Sequence, residues 1–182
     1  MPASTRDPSL RFRGTLFRAL NPVWAARPLS GDGARLHGGR FNPKGTPALY
    51  TSLTDLGAVR EANQIGRAFE PVTLVAYDAD LAPVFDATDR DALAALCIDQ
   101  GDLADGDWRG EMRRAGHSIG QRISARLIDA GYAGLVAPSF ARGAPADAKN
   151  LVLWRWGGEL PHRLRVQDSE NRLGRLTPYL GT

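Results

Sequence analysis

A single cysteine, Cys97, among 182 residues excludes any intrachain disulfide, and nothing in the composition marks an oxidising compartment. Long apolar runs are missing too. No stretch approaches the roughly 18 residues of a membrane span, and Met1 to Arg13 is polar, without the apolar core of a signal peptide. The expected location is the cytoplasm. Lysine is almost absent, present only as Lys44 and Lys149, although Lys and Arg together outnumber Asp and Glu by 23 to 20. The net charge of +3 and the pI near 9.4 therefore rest on arginine, which suits bidentate recognition of carboxylate or phosphate. These arginines are spread through all segments, whereas direct nucleic-acid binding asks for a basic stripe.

The common catalytic signatures are also lacking. Gly31-Asp32-Gly33 has no third glycine of a dinucleotide fingerprint, and no Gly-Lys-Ser or Gly-Lys-Thr occurs. His37, His117 and His162 are scattered and one cysteine completes no common zinc set, so no metal site is expected. Ser139 sits in Ala-Pro-Ser-Phe-Ala, which is not the nucleophile elbow of serine hydrolases.

What is present is enough apolar content, 43%, for one domain spanning residues 1–182. Alternation predicts a strand over Gly14–Leu20 with Arg18 on the face of Leu16 and Leu20. A long irregular stretch, 21–46, follows, and such loops are often functional. Ala48–Ser52 reads as a short strand. Thr54 is placed to cap a helix to about Phe69, with Leu56, Val59, Ala62, Ile65 and Phe69 as core stripe and Arg60, Gln64 and Arg67 as wet face. Glu61 fits neither group. Its helical neighbours Gly57, Ala58, Ile65 and Ala68 are small or apolar, so its carboxylate is expected to be partly buried and to need a partner. Val72–Tyr77 and Pro83–Asp86 read as two strands, and Thr88 to Asp91 as a capping box before a helix through Cys97. Gln100–Arg114 reads as a polar surface loop. His117–Ala130 reads as a helix ended by Gly131, followed by strands at Gly134–Pro138 and Asn150–Trp156 and an edge strand at His162–Val166. Trp154 and Trp156 are expected in core or interface packing. The irregular order of strands and helices indicates an α+β domain with a central mixed β structure and flanking helices.

Arg18, Arg40, Tyr50 and Glu61 stand out together. With their surroundings, Leu-Phe-Arg (16–18), Gly-Gly-Arg-Phe-Asn-Pro-Lys-Gly (38–45), Ala-Leu-Tyr-Thr-Ser (48–52), Ala-Val-Arg-Glu (58–61), Ala-Pro-Ser (137–139) and Asn150-Leu-Val-Leu, the chain resembles the RES-domain family over about residues 15–156. Phe41 stands where Trp is the commoner residue, and Ala19 where a polar or aromatic one is frequent. The resemblance implies an ADP-ribosyltransferase-like fold and a toxin of a toxin-antitoxin pair. It implies cleavage of the nicotinamide–ribose bond of NAD+ by phosphorolysis or hydrolysis, with ADP-ribosyl transfer to a protein acceptor as the alternative. NAD+ enters as substrate, no cofactor is implied, and the expected partner is a Xre-like antitoxin. By motif position the functional residues carry over to Arg18, Arg40, Tyr50, Glu61 and Ser139.

Each of these residue types suits that chemistry and each has a plainer reading. Arg18 and Arg40 can chelate a diphosphate, or pair with structural carboxylates. Tyr50 can stack on a cationic nicotinamide, or pack in the core with a tethered hydroxyl. Glu61 can hold ribose hydroxyls and stabilise positive charge developing on the sugar, or lie exposed on its helix. Ser139 can bond a ribose or carboxamide, or serve a turn after Pro138. Attack by phosphate calls for a further cation, for which His37, Lys44 and Arg142 are loop candidates.

Overall fold

A computed structural model describes residues 9–65 and 70–175. Six strands form one mixed sheet: β1 (Ser9–Leu20), β2 (Leu49–Ser52), β3 (Thr73–Asp86), β4 (Gly134–Pro138), β5 (Lys149–Leu153) and β6 (His162–Val166). Their order is β1-β2-β5-β4-β3-β6, and an additional β1–β3 pairing closes the first five into a ring. Among the described strands only β3 and β4 run parallel. Such a pair needs a long crossover, and here α3 (Arg90–Ala95), α4 (Gln100–Ala104), α5 (Trp108–Ala115) and α6 (Ile119–Asp129) provide it. Two more helices, α1 (Asp32–His37) and α2 (Asp55–Ile65), lie on the other connections. The expected α+β class with a mixed sheet and flanking helices is what the chain adopts.

Period-2 alternation divides the interior. On β5, Leu151 and Leu153 join a cluster within the ring with Leu16, Tyr77 and Val136. Val152 points the other way, joining Leu135, Phe85, Ile123 and Trp154 beneath the crossover helices. Burial on both faces explains why β4 and β5 read as nearly continuous apolar runs.

Several sequence expectations change. The segments Val72–Tyr77 and Pro83–Asp86 are one strand. Asp78 and Asp80 lie on one face of β3 while Tyr77, Ala79 and Leu81 are buried on the other. Asp80 is satisfied there by Arg11 (2.5 and 2.9 Å) and Arg13 (3.3 Å) on β1. Residues 100–114 are not a loop but α4 and most of α5. Only Leu103 and Gly110 are buried in these two helices, so no apolar stripe announces them. Asp89, not Thr88, caps α3, accepting Asp91 N at 2.9 Å while the Thr88 hydroxyl turns to Asp86. That helix ends at Ala95, short of Cys97, and β5 ends at Leu153, short of Trp156. The stretch 21–46 contains α1 and a turn of 3-10 helix at Pro22–Trp24.

The rotation of α2 matters most. Thr54 accepts Gly57 N at 3.1 Å, but Leu56 is 71% exposed while Gly57 and Ala58 are buried. Their small side chains let the helix lie close to the strands: a Cβ on Gly57 would stand 2.8 Å from Thr54 Oγ1 and 3.3 Å from Ser52 Cβ. Glu61, three to four residues on, is thereby turned toward the sheet. The remainder of the helix expected through Phe69, with Arg67 and Ala68, lies outside the described residues.

Candidate active site

Strands β1 and β2 pair only at Phe17 and Ser52. Beyond that point they part, and the gap is the inner wall of a cavity of about 510 Å³. Arg18, Arg40, Tyr50 and Glu61, which come from four separate segments, all line it.

Arg18 faces inward beside the fully buried Leu16. Its Nη1 donates to the carbonyls of Pro28 and Ser30, both at 3.2 Å, so it anchors the segment that leads from β1 to α1. Tyr77 reinforces that anchor by donating to Pro28 O at 2.8 Å. Burial lowers the Arg18 pKa and Tyr77 partly opposes the shift, but a guanidinium remains charged at neutral pH.

The glycine-rich loop owes its shape to three side chains. Tyr50 Oη accepts Phe41 N at 3.0 Å and donates to Asn42 Oδ1 at 2.7 Å. Gln121 Nε2, from α6, donates to the Gly39 and Asn42 carbonyls at 2.8 and 3.1 Å. Trp154 Nε1 donates to Phe41 O at 2.8 Å. Glycine is required at position 39, because a Cβ there would collide with Tyr50 Oη. Arg40 is the residue this loop presents. Its guanidinium lies 4.5 Å from the Phe140 ring centroid, and Nη1 donates to Leu103 O at 3.1 Å. Burial lowers its pKa, opposed by Asp105 and Glu61. Tyr50 combines both expectations: its hydroxyl is tethered, and burial holds its pKa well above the ordinary tyrosine value, while its ring borders the cavity.

Glu61 is half-buried, and its Oε1 accepts Ser139 Oγ at 2.7 Å and Asn150 Nδ2 at 2.6 Å. Ser139 thus meets the site through the carboxylate. Asn150 Oδ1 in turn accepts Ser52 Oγ at 2.7 Å. Neither Asn150 nor Ser52 was assigned a role from sequence, although two polar residues on adjacent buried strands are a usable signal. Trp108 and Arg109 also line the cavity, the guanidinium 4.3 Å from the ring centroid. Reading their segment as a surface loop concealed them. Of the three loop candidates for a phosphate contact, all exposed, His37 lines the cavity and Lys44 and Arg142 do not. Among the described residues no three His, Cys, Asp or Glu side chains gather as metal ligands, and no helix is long and apolar enough to cross a membrane.

The site therefore offers one carboxylate with a fixed oxygen, three guanidinium groups and aromatic faces around a volume within the roughly 300–1,000 Å³ range of small-molecule pockets. That set can hold an extended anion and stabilise a cation near Glu61. In comparison with known proteins, the family model described as the RES domain matches residues 15–175. A solved structure, the M. tuberculosis MbcT-MbcA toxin-antitoxin complex, is similar in fold. Its TM-score is 0.61 at 22% identity, covering 88% of this chain and 84% of that one. No curated protein matches in sequence.

Proposed function

The chain belongs to the RES-domain family, and we propose that it is the toxin of a toxin-antitoxin pair that cleaves the nicotinamide–ribose bond of NAD+. The observation carrying this reading is the placement of Glu61 with Arg18 and Arg40 around one cavity. NAD+ asks for that set: cations for its diphosphate, an aromatic face for its cationic ring, and an anion beside the glycosidic carbon.

In the proposed reaction the bond from ribose C1′ to the nicotinamide nitrogen breaks, and its electron pair leaves with neutral nicotinamide. The sugar becomes oxocarbenium-like, and the Glu61 carboxylate stabilises that charge. The guanidinium groups grip the diphosphate in the two-oxygen geometry a lysine cannot copy. The Tyr50 ring supports nicotinamide by a cation–π contact of about 0.5–2 kcal/mol. The acceptor then bonds to that ribose carbon: water, with loss of its proton, gives ADP-ribose, and phosphate gives ADP-ribose phosphorylated at the same carbon. A protein side chain gives an ADP-ribosylated product. His37 at the cavity wall is the residue we assign to an incoming phosphate.

The similarity to a toxin-antitoxin complex supports an antitoxin partner, for which we propose a Xre-like protein that enters the cavity and competes with NAD+. The deciding experiment incubates purified protein with NAD+, follows nicotinamide release, and identifies products by mass spectrometry with and without phosphate and cell extract. Nicotinamide release supports the reading; no turnover with any acceptor refutes it.

A further inference from the structure

The two oxygens of Glu61 meet different surroundings. Oε1 receives both Ser139 Oγ and Asn150 Nδ2, while among the described residues no protein donor is recorded on Oε2. Asn150 is itself oriented. Its Oδ1 accepts Ser52 Oγ at 2.7 Å, and Ser52 and Asn150 are direct register partners across β2 and β5. Two short side chains on paired backbone positions make this contact, so little freedom is left in it. Rotating the amide by half a turn would set Oδ1 against Glu61 Oε1, two acceptors at the observed 2.6 Å. The carboxylate and the serine hydroxyl thus select the same orientation.

We propose that Asn150, set by Ser52, is a positioning residue that commits Oε1 of Glu61 to the protein and leaves Oε2 as the oxygen that faces the reacting sugar. The identity of that sugar rests on the NAD+ reading above. Fixing one oxygen also fixes the plane of the carboxylate, and a charge-stabilising group must be held to within about 0.5 Å of its productive position.

The informative variant is Asn150→Asp. It places a second carboxyl against Oε1, and two carboxyls so close share one proton. While that proton is held, the introduced group donates to Oε1 as the amide does; once it is lost, two anions face each other and Glu61 is displaced. The ratio of N150D to wild-type kcat is expected to be highest at acid pH and to fall about a hundredfold as pH rises, with KM for NAD+ little changed. Ser52→Ala should lower kcat and Ser52→Thr, which keeps the hydroxyl, should restore it. A pH-independent ratio, or a deficit confined to KM, overturns the proposal.

A second arm needs no turnover. The melting temperature of N150D should drop with rising pH relative to the double variant E61Q/N150D, in which the introduced amide can donate to the introduced carboxylate. Parallel pH dependence of the two overturns the Asn150 assignment. Wild-type protein inert toward NAD+ would instead refute the proposed function, with this thermal comparison still deciding whether Asn150 holds Oε1.

Discussion

Tyr50 donates its hydroxyl proton to Asn42 Oδ1 at 2.7 Å, so the aromatic face on the cavity wall is also the anchor of the loop carrying Arg40. Asn42 is fully buried, and loss of its partner leaves a polar atom without water. Tyr50→Phe is expected to destabilise the fold by about 1–3 kcal/mol in denaturant titration and to raise KM for NAD+ through a loosened Arg40. Because burial raises the Tyr50 pKa far above neutrality, the hydroxyl stays protonated and the stability difference should be flat from about pH 6 to 9. An unchanged midpoint would show that the loop does not depend on this hydroxyl.

Glu61→Gln separates charge from shape. Glutamine keeps a carbonyl oxygen able to accept from Ser139 and Asn150, so the melting temperature should change little. Nicotinamide release should fall about a hundredfold or more, the usual cost of removing a group that stabilises transition-state charge. Full activity would remove the carboxylate from the mechanism.

Arg40→Lys keeps the charge but loses the fork that reaches Leu103 O and lies against Phe140. KM for NAD+ is expected to rise roughly tenfold, equivalent to about 1.4 kcal/mol. Equal KM values would make Arg40 a fastener of α4 only.

Much of this site was legible because its residues break local rules. Arg18 lies on an apolar strand face and Glu61 on a helix face of small residues, and both anomalies resolve at the cavity. The short apolar strands at 48–52 and 134–138 and the helix ended by Gly131 follow from apolar runs between turn residues and from capping, which are local. The rotation of α2 was hidden because hydrophobicity favoured Leu56, whereas close packing against β1 favoured Gly57 and Ala58. Trp108 and Arg109 were hidden because short polar helices carry no apolar period. The Ser52–Asn150–Glu61 chain depends on the register between β2 and β5, which joins residues 98 positions apart.

Asp80 provides a pH signature away from the cavity. Its hydrogen bond to Arg11, with charge attraction from Arg11 and Arg13, holds its pKa below the ordinary carboxylate value. A depressed folded-state pKa stabilises the protein above the unfolded value, near 3.9, and that contribution is lost as pH falls through the folded value. Stability should therefore begin to decline below about pH 4, and Asp80→Asn should flatten that decline. An identical acid limb in the variant, measured by denaturant midpoints, would show that the Arg11–Asp80 pair is fully screened by solvent.

Arg18 supports the sharpest separation of structure from recognition. Nη1 donates to Pro28 O and Ser30 O and Tyr77 lies beside the guanidinium, but a guanidinium has five N–H donors, so donors remain for an anion in the cavity it lines. Arg18→Gln keeps one NH2 that can donate to a carbonyl, and Pro28 O retains its bond from Tyr77, so residues 28–30 should stay folded with a modest loss of stability. The loss in recognition should be larger. Affinity for ADP-ribose, which carries the diphosphate, is expected to fall about tenfold or more by calorimetry, since charge-assisted bidentate bonds are the strong ones. Affinity for nicotinamide alone should be unchanged. A variant that is destabilised yet binds ADP-ribose as the wild type does would assign Arg18 to anchoring residues 28–30 and leave Arg40 as the diphosphate ligand.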